Sequence, residues 1–146
     1  MPRRSGRQVP PEAGFTLIEH PADVGIEAWG PHLASAFEQA ALALISVIVD
    51  PATILPELTR EIRVSAPDQE QMLVRWLSEL LYLVDGEGFV PSSCTIVALE
   101  PRSLLAVCRG EPHRPERHTA RIEVKAITYH QLLVHSGDGG DANDSF

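Results

Sequence analysis

The pattern of this chain predicts an α+β domain in which two amphipathic helices pack on a mostly antiparallel sheet. Three observations carry that prediction. Two segments repeat apolar residues at i, i+3, i+4 and i+7, the spacing of a helix with one buried stripe. Several shorter segments alternate with a period of two, the spacing of a strand with one buried face. Proline, glycine and aspartate punctuate the joints between them. At 146 residues, 44% hydrophobic and 22% charged, the chain has the size and composition of one globular domain with a core of its own.

Taken in order, Phe15–Glu19 reads as a first strand and Val24–Trp29 as a second, closed by Gly30-Pro31. The first helix runs from His32 to about Val49, with Leu33, Ala36, Phe37, Ala40, Leu44 and Ile48 on one stripe, and Asp50-Pro51 ends it. Its alanines predict close packing against a sheet. Thr59–Ala66 alternates as a strand. Asp68, with Gln71 three residues on, has the spacing of a helix N-cap and capping box. The second helix follows from Gln69 to about Val84, and Trp76, Leu77, Leu80 and Leu81 mark its core face. Asp85-Gly86-Glu87-Gly88 reads as a loop whose acids lack calcium-loop spacing. Phe89–Leu99 and Leu104–Arg109 form a hairpin around Glu100-Pro101-Arg102-Ser103. Gly110–His118, with two prolines and two histidines, reads as an exposed loop, and His113 and His118 as solvated side chains. Arg121–Val134 is the last strand. Residues 1–13 are expected to form a flexible N-terminal tail, 14–135 the domain, and 136–146 a flexible acidic, glycine-rich C-terminal tail.

Charge narrows the classes of partner. The net charge is −8, and residues 1–7 hold three arginines and no acids, so the remainder carries 9 basic and 20 acidic residues, a net of −11. That is the wrong sign for a direct nucleic-acid binder, which gains affinity by neutralising phosphates. It suits a cation or a basic protein surface. No apolar run is long enough to span a membrane, and Met1–Pro10 has no apolar core of a secretory signal, so a cytoplasmic location is expected. The two cysteines, Cys94 and Cys108, lie on the two strands of the hairpin, nearly opposite each other if the register allows. Buried, reduced thiols are the expectation there.

Two residues stand out as chemistry. Asp23 sits in His20-Pro21-Ala22-Asp23-Val24-Gly25, a carboxylate among small residues at a strand entrance. It reads either as a turn former bonded to its own backbone or as a ligand able to approach a cation or a partner closely. Lys125 is the only lysine; the other eleven basic residues are arginines. Lysine supplies a compact point charge where arginine supplies a planar fork. Lys125 reads either as a solvated strand residue or as a functional ammonium. By alternation it shares a sheet face with Asp23 and Glu27, provided the two strands belong to one sheet and helices cover the other face.

The stretch from His20 to Gly30 resembles the signature of the archease family, with Pro21 where threonine is usual. Trp76–Tyr82 and Glu123–His130 match family segments in the same order, so the resemblance covers about residues 14–135. It implies a small α+β fold of strand-helix-strand-strand modules. It also implies a cofactor protein that is not itself an enzyme. Such a protein activates an RtcB-type tRNA-splicing RNA ligase, promoting guanylylation of the ligase's active-site histidine and multiple turnover with a divalent metal of the calcium or magnesium class. On the resemblance, Asp23 is a metal ligand and Lys125 assists activation. Family members finish on an apolar strand ending in aspartate and one aliphatic residue; no such strand follows Val134 here, and Asp144 is the candidate substitute ligand. Two other classes compete. One is a metal-dependent phosphotransfer or hydrolytic enzyme using Asp23 with Glu27 or Asp85, although no phosphate-cradling glycine loop or nucleophile–base pair accompanies it. The other is a general adaptor or chaperone in RNA processing.

Overall fold

The structure, a computed structural model, describes residues 12–19, 24–118 and 132–136. Among them, β1 (Gly14–Glu19) and β2 (Val24–Gly30) pair antiparallel, and β6 (Leu132–Ser136) lies parallel on the other side of β2. β3 (Leu58–Ser65), β4 (Phe89–Glu100) and β5 (Ser103–Pro112) form a second antiparallel sheet in the order β3-β5-β4. The α+β class follows the sequence pattern, with one refinement: the described strands divide into two three-stranded sheets, and the β2–β6 pair is parallel.

Helix α1 (Leu33–Ile48) joins the two sheets, packing against β2 of one and β4 of the other. Its alanines make this possible. Ala36, Ala40, Ala41 and Ala43 are wholly buried, and their small side chains let backbone approach backbone on more than one side. On β2, Ile26 and Ala28 join the same core as α1, so Glu27 points to the opposite face. Helix α2 (Gln69–Glu87) packs on β3, β4 and α1 through Met72, Leu73, Trp76, Leu77 and Leu80. The Trp76 indole Nε1 donates to the Phe37 carbonyl at 3.0 Å, so the largest buried side chain joins the two helices without leaving a polar atom unpaired.

Asp68 caps α2 as expected. Asp68 accepts the Gln71 N–H at 2.8 Å. At the far end, α2 continues through Asp85 and Gly86 to Glu87, a correction to the loop expected there. It stops at Gly88, whose φ of 67° is the left-handed conformation that glycine adopts freely. Asp85 and Glu87 therefore stand exposed on the last helical turn.

The hairpin β4–β5 forms as expected, with register shifts at Pro91/Ser93 and Ile96/Ala98. Proline is tolerated at the first because β4 is an edge strand of its sheet. At the second, Glu38 of α1 accepts the Ile96 N–H at 2.8 Å, covering a donor on that edge. Cys94 and Cys108 occupy directly paired positions and form a disulfide, where the sequence suggested buried thiols; both are buried, as expected. Where β4 and β5 meet at Gly110, a Cβ would lie 2.0 Å from the Val90 carbonyl oxygen, which is backbone and has nowhere to go. Gly110→Ala is therefore expected to destabilise the protein by about 1–3 kcal/mol, read as a lower urea midpoint with an unchanged slope.

Candidate functional site

Asp23, Lys125 and Asp144, the three residues singled out by the sequence, lie outside the described residues. The structure does place their described neighbour Glu27. This carboxylate lies on the face of β2 turned away from α1, yet it is only 3% exposed. Parallel pairing sets Glu27 opposite Leu133 and Trp29 opposite His135, so the His135 ring reaches across to Glu27. Its Nε2 donates to Glu27 Oε2 at 3.1 Å, with the His135 side chain 21% exposed. A carboxylate behind a partly exposed imidazole orients the ring. The half of the sheet-face expectation that can be read holds: helix α1 covers Ile26 and Ala28, leaving Glu27 on the other face.

A second cluster closes the far end of β5. Glu111 and His118 are both fully buried, so the reading of His118 as a solvated loop residue is corrected; His113 is exposed, as expected. His118 Nδ1 accepts the Arg114 N–H at 2.9 Å, which puts the ring proton on Nε2, and Nε2 donates to Glu111 Oε2 at 2.8 Å. The same oxygen accepts the Leu55 N–H at 2.9 Å from a loop 56 residues earlier. Glu111 Oε1 takes Arg117, through a terminal guanidinium nitrogen, and Arg114 Nε at 3.7 Å. Both imidazole nitrogens and both carboxylate oxygens are thus engaged. The arrangement ties chain segments together and leaves no free base.

Burial pushes the Glu111 pKa up. The hydrogen bonds from Leu55, His118 and Arg117, together with the Arg117 charge, outweigh it and hold the pKa at about 2 against an ordinary 4.5. The signal in the sequence was slight: Glu111 is followed within seven residues by two arginines, two histidines and a second glutamate, in a segment with two prolines. Nothing in local spacing distinguishes a buried knot from a solvated loop. His135 was missed for a similar reason, because its partner is 108 residues away.

Among the described residues no group of three or more histidine, cysteine, aspartate or glutamate side chains converges as a metal site, and no helix is long and apolar enough to cross a membrane.

What is described is a small α+β domain with a helix held between two three-stranded sheets and with its buried carboxylates used to tie segments together. This architecture matches the solution structure of Methanobacterium thermoautotrophicum protein 1598 with a TM-score of 0.69 and 28% identity, over 85% of this chain and 91% of that one. The archease protein family (MTH1598/TM1083) matches over residues 15–143, a span that runs past residue 135. The archease of Methanosarcina acetivorans is 39% identical over 133 residues, covering 88% of this chain and 91% of the relative. That of Pyrococcus furiosus is 42% identical over 120 residues, covering 80% and 84%. The chain belongs to the archease family.

Glu111 gives a pH prediction with a definite sign. A carboxyl whose folded pKa is lowered to about 2 from 4.5 contributes stability that is fully present above pH 4.5 and is lost as pH falls towards 2. Glu111→Gln is expected to be less stable than the wild type at pH 6, and the gap between the two is expected to close between pH 4.5 and 2. Urea unfolding across that range reads it; parallel curves for the two proteins would contradict it.

Proposed function

We propose that this protein is an accessory factor for an RtcB-type RNA ligase. In this reading it promotes guanylylation of the ligase's active-site histidine and so sustains repeated turnover, without itself acting on RNA. The single observation that carries the reading is family membership along residues 15–143, a span that includes Asp23 in the signature stretch and Lys125 in the Glu123–His130 segment. The charge supports it independently. A net of −8 repels nucleic acid and favours a basic protein surface. A ligase that holds RNA presents such a surface.

In this reading Asp23 is a ligand for a divalent cation, with Asp144 the second carboxylate. Carboxylate oxygens are the donors that hard cations of the calcium or magnesium class take. The cation supplies charge stabilisation at a phosphate when bound. Lys125 contributes a compact ammonium, which stabilises developing phosphate charge without the fixed geometry of a guanidinium fork.

The test is a guanylylation assay of the ligase with GTP and divalent metal, with and without catalytic amounts of this protein. Marked acceleration is expected; none from a folded protein overturns the reading. Asp23→Ala and Lys125→Ala are each expected to lose at least about tenfold of the stimulation while their thermal unfolding stays close to that of the wild type. Full stimulation by Asp23→Ala would remove that residue from the assignment.

A further inference from the structure

The knot around Glu111 engages two guanidiniums. The Leu55 N–H and His118 already satisfy Oε2, and one guanidinium would balance the carboxylate. Two converge on Oε1 instead, those of Arg114 and Arg117. Each spends one nitrogen on Glu111: Arg114 its Nε at 3.7 Å and Arg117 a terminal nitrogen. A guanidinium carries five N–H donors. The remaining ones on both heads have no partner among the described residues, and the two side chains are 45% and 39% exposed. Glu116, exposed on the same turn, forms no ion pair with either among the described residues.

The turn fixes where these heads sit. The Arg117 and His118 N–H groups both donate to the Arg114 carbonyl, at 2.9 and 2.7 Å. His113 Nε2 donates to the His118 carbonyl at 3.0 Å, and the two rings stack 5.6 Å apart. The arginines are three residues apart on one compact turn, and both are drawn to the same buried oxygen. Much of the entropy cost of ordering two long side chains is therefore already met before any ligand arrives. Glu111 and Glu116 balance the two arginines in formal charge, so what the turn offers an anion is the unused donors of two guanidinium heads.

We propose that Arg114 and Arg117 form an anion clamp for a terminal phosphate, that of a free nucleotide or of an RNA end. Two guanidiniums sharing one anchor each keep unused donors. A tetrahedral oxyanion with three free oxygens can use both forks, whereas a halide cannot. The clamp goes beyond the ligase reading and stands apart from it, since its test needs no ligase.

The experiment is a titration of the isotopically labelled full chain, following the backbone amides of residues 113, 114 and 116–118 by NMR at constant ionic strength. The probes are inorganic pyrophosphate, GMP, and a short oligoribonucleotide with and without a 3′-phosphate. Saturable shifts confined to this turn are expected for the phosphorylated probes and not for chloride. Equal response to GMP and the phosphorylated oligonucleotide assigns the clamp to phosphate as such. Tighter binding of the oligonucleotide assigns it to RNA ends. Arg114→Gln/Arg117→Gln is expected to weaken binding at least tenfold while keeping the Leu55 and His118 bonds to Glu111. Should that double variant fail to fold, Arg114→Gln alone, which breaks only the longer contact, is expected to weaken binding severalfold. Absence of saturable shifts in the wild type, or unchanged affinity in a folded variant, overturns the proposal.

Discussion

The burial of α1 between two sheets is the constraint on which the rest depends. Each sheet, three-stranded among the described residues, has an apolar face that must be covered by another layer. The helix gives both of them the same apolar partner, with Ile26 and Ala28 on one side and β4 on the other. A helix can serve two sheets only if its side chains are short where backbones approach, and Ala36, Ala40, Ala41 and Ala43 meet that condition. Phe37 and Trp76 then fill the remaining space, and the Trp76–Phe37 hydrogen bond joins α2 to the same core.

Within this frame, polar side chains do the long-range fastening. Glu38 reaches 58 residues along the chain to the amide of Ile96, Glu111 reaches back 56 to that of Leu55, and His135 reaches back 108 to Glu27. Each places a carboxylate where a loop or a strand edge would otherwise lack a partner or sit loosely. Buried charge is costly unless its lone pairs are filled. The Glu111 pKa is strongly lowered because Leu55, His118 and Arg117 outweigh its burial. One consequence is that the charged turn at 113–118 is tied to the end of β5 through Glu111 and by its own hydrogen bonds.

Asp23 drew notice in the sequence because small neighbours surround a carboxylate at a strand entrance, and Lys125 because it is one lysine beside eleven arginines. Chemistry left a turn former and a solvated strand residue open for them, and their proposed roles rest on the family resemblance. The partners of Glu27 and Glu111 were not legible. Alternation could assign Glu27 a face but could not say that His135 would lie beside it, because the strand bringing that histidine is parallel and distant in sequence. His118 read as solvated because its neighbours are polar; it is buried against Glu111, whose carboxylate also takes the amide of Leu55 from a distant loop.

The sequence by itself determined the class of fold, both helices and their buried stripes, the Asp68 cap and the β4–β5 hairpin. These follow from periodicity and turn chemistry, which act over a few residues and leave a local imprint. Only the tertiary structure decided that the described strands split into two sheets with α1 between them. The same is true of the Cys94–Cys108 pairing, the continuation of α2 to Glu87, and the conversion of the Glu111 loop into a buried knot. Each of these turns on which distant segments meet and in what register. That outcome is set by the packing of the whole core, and no short window of sequence contains it.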